Sequence, residues 1–206
     1  MKKLIVICVV AIMSMTLAQT ASAGRFGIKG GVNLTSMDFK SGVPATLGYQ
    51  AGITWQWNLP LGFAIQPDLL YHVKASRFDE INEETFGLGY IELPINLQWG
   101  LRFVDRNVRI FAQASPFIGY AVSQIGEIMQ GEGGKWYGVN RFSYGAGLGV
   151  GVQLWALQVT AQYNWNLGSL ANVENFNLGQ LNDANFGGAT ISIALMFGGK
   201  KKNKQE

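Results

Sequence analysis

The stretch Arg141-Phe142-Ser143-Tyr144-Gly145-Ala146-Gly147-Leu148-Gly149-Val150-Gly151-Val152-Gln153-Leu154 decides the fold. Every second residue from Phe142 to Leu154 is apolar, and the residues between them are Ser143, four glycines and Gln153. A repeat of two residues belongs to a β-strand with one greasy face and one polar face. The same alternation recurs on both sides of this stretch and gives about eight strands in all.

The apolar parity runs through Phe26, Ile28, Gly30, Val32 and Leu34, then through Leu47, Tyr49, Ala51, Ile53, Trp55 and Trp57. It continues in Phe63, Ile65, Pro67, Leu69, Tyr71 and Val73, and in Ile91, Leu93, Ile95, Leu97 and Trp99. The fifth strand, Val108 to Ile118, is the least regular, because Phe111 and Phe117 fall on the polar parity. Leu157 to Trp165 and Ala189 to Phe197 complete the set. Long polar connections at about 36–45, 75–87, 123–140 and 167–186 alternate with short ones at 58–62, 100–107 and 154–157. That layout predicts an all-β fold, an eight-stranded antiparallel up-and-down transmembrane β-barrel with both termini on the periplasmic side.

A soluble barrel of lipocalin type shows the same period but needs a charged exterior. Here Arg25, Lys29, Asp68, Lys74, Glu92, Arg109 and Arg141 all lie on the parity rich in Gly, Ser, Thr, Asn and Gln, and the apolar stripe carries no charge. Facing lipid at mid-bilayer, an Arg or Lys costs about 2–4 kcal/mol. Trp55, Trp57, Trp99 and Trp155 fall at one set of strand ends, and Tyr49, Tyr71, Tyr144 and Trp165 at the other, which makes two aromatic belts. Lipid also forbids an open sheet edge, so the strands must close.

Lys2 and Lys3, the apolar run Leu4 to Ala18 and the small residues Ala21-Ser22-Ala23 read as a secretory signal peptide over residues 1–23. The run is short for an uncleaved membrane anchor. The barrel then occupies residues 24–198, and a polar tail occupies 199–206. Cys8, the single cysteine, leaves with the signal, which excludes disulfides and thiol chemistry. Without Lys2 and Lys3 the 16 Lys+Arg become 14 against 13 Asp+Glu, so no basic field remains for nucleic acid.

Gly27-Ile28-Lys29-Gly30-Gly31-Val32-Asn33-Leu34-Thr35, Tyr90-Ile91-Glu92-Leu93-Pro94 and the Phe197 ending resemble the Bacteroidetes-type outer-membrane β-barrel domain family, which includes PorT-like proteins. The resemblance implies an eight-stranded barrel in the bacterial outer membrane, usually without assigned biochemical activity. Outer-membrane lipid and lipopolysaccharide are then the surroundings, and the insertion machinery reads the last strand ending at Phe197. Membership of a protein-secretion or envelope-assembly complex is the PorT-like alternative.

No catalytic, cofactor-binding or metal-binding residue is assigned, and no cofactor is expected. His72, the only histidine, faces inward. Asp68 precedes it by four residues, about 13 Å along the strand, so any partner must come from another strand. A lipid A-modifying enzyme centred on His72 would also need a nucleophile, and no His-x-Ser motif is present. Lys29, Glu92, Arg109 and Arg141 read as an internal ion-pair network that stiffens the interior. Conduction is disfavoured because eight strands enclose little more than their own side chains. Asp79, Glu80, Glu83 and Glu84 read as a solvated acidic loop in preference to a cation site, and Gly145 to Gly151 lacks a dinucleotide-binding register. Asn33-Leu34-Thr35 matches a glycosylation sequon inside a strand and is set aside. Function is expected in the long connections, with Trp136, Tyr137 and Phe176 as contact residues for surface ligands or envelope partners.

Overall fold

Alternation carries directly into architecture, because a strand with one apolar face is satisfied in a bilayer only when its neighbours present the same face and the sheet closes. The computed structural model describes residues 24–36, 46–77, 85–103, 108–125, 141–167 and 187–198. It contains eight strands: β1 (Arg25–Ser36), β2 (Thr46–Asn58), β3 (Phe63–Arg77), β4 (Thr85–Phe103), β5 (Val108–Ile125), β6 (Phe142–Leu154), β7 (Leu157–Asn166) and β8 (Gly187–Phe197). Each pairs antiparallel with the next, and β1 closes on β8 through pairs such as Phe26 with Phe197 and Val32 with Ile191.

The molecule is inside out. Ile28, Ile53, Leu97, Leu148, Val150 and Ile193 point away from the barrel and are exposed, whereas Asn33, Gln66, Asp68, Asn96, Gln98 and Gln158 point inward and are buried. The expected parity holds along the strands apart from Val73, which falls on the outward parity of β3 yet is buried, and Phe111 and Phe117 are buried in the lumen. Each of these rings lies over a glycine of β6. A methyl group on Gly151 would collide with the Phe111 ring, and one on Gly145 with the Phe117 ring. The glycine run of β6 is therefore the floor onto which β5 folds its two out-of-pattern aromatics, a ring-over-glycine arrangement that fills space left by a missing side chain.

Pairing extends further than the alternation indicated. Ala75 pairs with Gly87, Ser76 with Phe86 and Arg77 with Thr85, so part of the 75–87 connection is strand, and β5 continues to Ile125. A membrane crossing needs only about 9–11 residues. β3, β4 and β5, at 15, 19 and 18 residues, thus run past that length at the long-connection end, where neither face has to be apolar and the period-two signal fades. A register shift at Gly89/Tyr90 lies in this extension.

The opposite end is tight. Pro60–Gly62 forms a single 3-10 turn between β2 and β3, and Trp155-Ala156 alone joins β6 to β7. Leu61 and Trp155 take positive φ values of 60° and 51° there. Both side chains are exposed, at the same end as Phe26, Trp55, Trp99 and Phe197, which gives this rim its apolar collar.

Candidate functional site

The polar side chains of the lumen meet one another in three tiers. Nearest the tight end is a glutamine layer. Gln98 Nε2 donates to Gln66 Oε1 at 2.9 Å and to Gln113 Oε1 at 3.2 Å, and Gln158 Nε2 donates to Gln66 Oε1 at 3.1 Å. Arg109 donates to Gln98 Oε1 at 2.7 Å and to the Gly62 carbonyl at 3.2 Å, and its guanidinium lies 5.0 Å from the Phe111 ring centre.

The middle tier is centred on Asp68. Its carboxylate accepts from Lys29 Nζ at 2.7 Å, Thr54 Oγ1 at 2.5 Å and Asn96 Nδ2 at 2.9 Å, while Ser115 Oγ donates to Asn96 Oδ1 at 2.7 Å. Lys29 stands on β1 and Asp68 on β3, with β2 between them. The register partner of Lys29 on β2 is Gly52, where a methyl group would run into the Leu69 carbonyl of β3.

The upper tier contains His72. Asn33 Nδ2 donates to His72 Nε2 and to the Val73 carbonyl, and His72 Nδ1 donates to Glu92, which also accepts from Lys74 Nζ at 3.3 Å. Lys74 lies 4.6 Å from the Phe117 ring centre and 5.1 Å from that of Tyr90. Asn33 likewise crosses β2, over Gly48, where a methyl group would run into Asn33 Oδ1.

Thus the partner of His72 is Glu92 from the neighbouring strand, not Asp68. A histidine oriented by a carboxylate is two-thirds of a nucleophile-activating triad. Here an asparagine amide occupies the ring nitrogen that a nucleophile would need, so the arrangement is a structural clamp. Among the described residues the ion pairs fall into two groups, Lys29 with Asp68 and Glu92 with His72 and Lys74. Arg109 sits apart at the tight end, and Arg141 lies just before β6 with its guanidinium 4.5 Å from the Tyr120 ring centre and its nitrogens on the Ala121 carbonyl. Asp79, Glu80, Glu83, Glu84, Trp136, Tyr137, Phe176, the signal region and the tail lie outside the described residues.

The network encloses a small polar cavity. A cavity of about 20 Å³ lies among Lys29, Gln50, His72, Asn96, Thr190 and Ser192. That volume accommodates about one water molecule. Among the described residues the lumen is lined by buried polar side chains that bond to one another.

Residues 17–172 match the family described as the outer membrane protein beta-barrel domain. The chain belongs to that family. This outer-membrane barrel is similar in fold to the crystal structure of Neisserial surface protein A, with a TM-score of 0.50 and 11% identity over 86% of this chain and 100% of that one. Ail, the attachment invasion locus protein of Yersinia pestis, gives 0.43 and 11% over 84% and 99% of the two chains. A major outer membrane protein of Thermus thermophilus gives 0.44 and 10% over 85% and 100%. No curated protein matches the outer-membrane barrel in sequence.

Proposed function

We propose that this barrel is a non-enzymatic scaffold that holds its four long connections at the cell surface, where they contact surface ligands, lipopolysaccharide or envelope partners. The observation that carries this reading is the bonded lumen: among the described residues inward side chains hydrogen-bond to one another across strands, and the cavity beside Lys29, His72 and Ser192 holds only about 20 Å³. The part of the molecule left to vary is the set of connections, and loops on a rigid frame are where such proteins carry function. In this reading the tight end and both termini face the periplasm, and Phe197, outward-facing at the end of β8, is the residue that the insertion machinery reads.

The test replaces residues 37–45, 78–84, 126–140 and 168–186 with short turns. The shortened protein should still shift on heating in a semi-native gel, as a folded barrel does, but lose surface binding and envelope-stress phenotypes. Unchanged phenotypes with a folded barrel would refute the reading. The PorT-like affiliation rests on Gly27 to Thr35, Tyr90 to Pro94 and the Phe197 ending, and a stoichiometric partner co-purified from gently solubilised membranes would support it. His72→Ala should leave the lipid A profile of an overexpressing strain unchanged, and an altered profile would restore the enzymatic alternative.

A further inference from the structure

The tight end of the barrel carries a positive charge that the described residues do not balance. Arg102 on β4 and Arg109 on β5 are direct cross-strand partners. Like charges placed opposite each other in a sheet repel and destabilise it. Arg25 of β1 stands at the same end, bonded to the turn between β6 and β7. All three guanidiniums are tied to neutral groups: Arg25 to the Trp155 carbonyl at 2.7 Å, Arg102 to Asn58 Oδ1 at 2.8 Å, and Arg109 to Gln98 Oε1 and the Gly62 carbonyl. Among the described residues no carboxylate lies within ion-pair distance of any of them. Arg109 is only 3% exposed, and Arg25 Nε is buried without a hydrogen-bond partner. A buried cation surrounded by neutral groups is costly unless an anion joins it.

We infer that the rim formed by Arg25, Arg102 and Arg109 is an anion site that takes a phosphate group. Arginine forks match the geometry of phosphate oxygens and bind them through paired charge-assisted hydrogen bonds. The three side chains reach the rim from β1, β4 and β5, and their tethers to Trp155, Asn58 and Gly62 hold them in place before an anion arrives. Trp55, Trp99 and Trp155 put the rim at the level of lipid headgroups. The phosphate therefore has two sources, a phospholipid headgroup at the rim or free phosphate from the aqueous side.

The test uses the full chain refolded in a neutral maltoside detergent. Titrated with inorganic phosphate at constant ionic strength, it should broaden the phosphorus resonance and raise its own unfolding temperature, whereas chloride should do neither. Arg102→Gln, an exposed position with a single tether, should weaken the apparent affinity roughly tenfold, and Arg102→Lys less. If free phosphate has no effect but phosphatidylglycerol in nanodiscs stabilises the protein relative to phosphatidylcholine, and Arg102→Gln abolishes that difference, the lipid headgroup is the ligand. No response to either probe overturns the site. So does a response that Arg102→Gln leaves intact or that deletion of residues 199–206 removes, since the ligand would then be held elsewhere. None of these outcomes depends on the surface connections, so the site can fail while the scaffold reading stands.

Discussion

Lys29 and Asp68 meet at 2.7 Å across an intervening strand, and both are almost wholly buried. Removing one charge of a buried pair costs more than removing both, because the survivor stays desolvated without its partner. Lys29→Met should destabilise the barrel by about 3–5 kcal/mol. Adding Asp68→Asn to it should restore at least half of that loss, since the amide oxygen still accepts from Asn96 and the amide nitrogen donates to the Thr54 hydroxyl, which can accept. Urea unfolding from lipid vesicles, followed by tryptophan fluorescence, measures both. A double variant no more stable than Lys29→Met would show that the carboxylate is held by its hydrogen bonds alone.

Phe111 and Gly151 are coupled by shape. Gly151→Ala pushes a methyl group into the ring and should cost about 1–3 kcal/mol. Phe111→Ala empties the space above the glycine and should cost about 3–5 kcal/mol. Combined, the added methyl group occupies part of the vacated volume, so the double variant should be more stable than the sum of the two losses predicts. Strict additivity in a double-mutant cycle would mean that the two residues do not touch in the membrane.

Strand number, the face each residue takes and closure were legible because the bilayer imposes one rule on every crossing strand, apolar out and polar in. The ends of β3 to β5 were not, because the rule lapses outside the hydrocarbon, as at Ala75 to Arg77. Parity placed Lys29, Asp68, His72 and Glu92 in the lumen but not their pairings, which depend on register. Lys29 pairs with a residue two strands away, across Gly52, and that becomes apparent only when β1, β2 and β3 are aligned. Asn33 carried no signal beyond its polar parity and a sequon, yet it and Thr35 are inward residues of β1 that bond to β3. Phe111 and Phe117 broke the pattern, and the glycine run that explains them lies on the next strand.

Leu148 lies in the middle of β6, faces outward and is 58% exposed. Placed at mid-bilayer, Leu148→Lys should lose about 2–4 kcal/mol, whereas Leu61→Lys, on the tight turn at the rim, should lose about 1 kcal/mol or less. Equal losses in phosphatidylcholine vesicles would mean that the two positions share one environment, which the belt of aromatic side chains at the rim argues against.

Gln66, Gln98 and Gln158 form a polar plug, each nearly inaccessible and each bonded to another of the three. With that plug in place, the purified protein in a planar bilayer should show no resolved unitary openings, because an ion would have to break several hydrogen bonds to pass. Replacing all three with alanine removes the amides without adding charge, and the wall of antiparallel strands does not need them for closure. The triple variant should therefore remain a barrel on a semi-native gel and conduct. Openings in the unaltered protein would mean that the interior rearranges in the membrane, and the assignment of function to the surface connections would lose its main support.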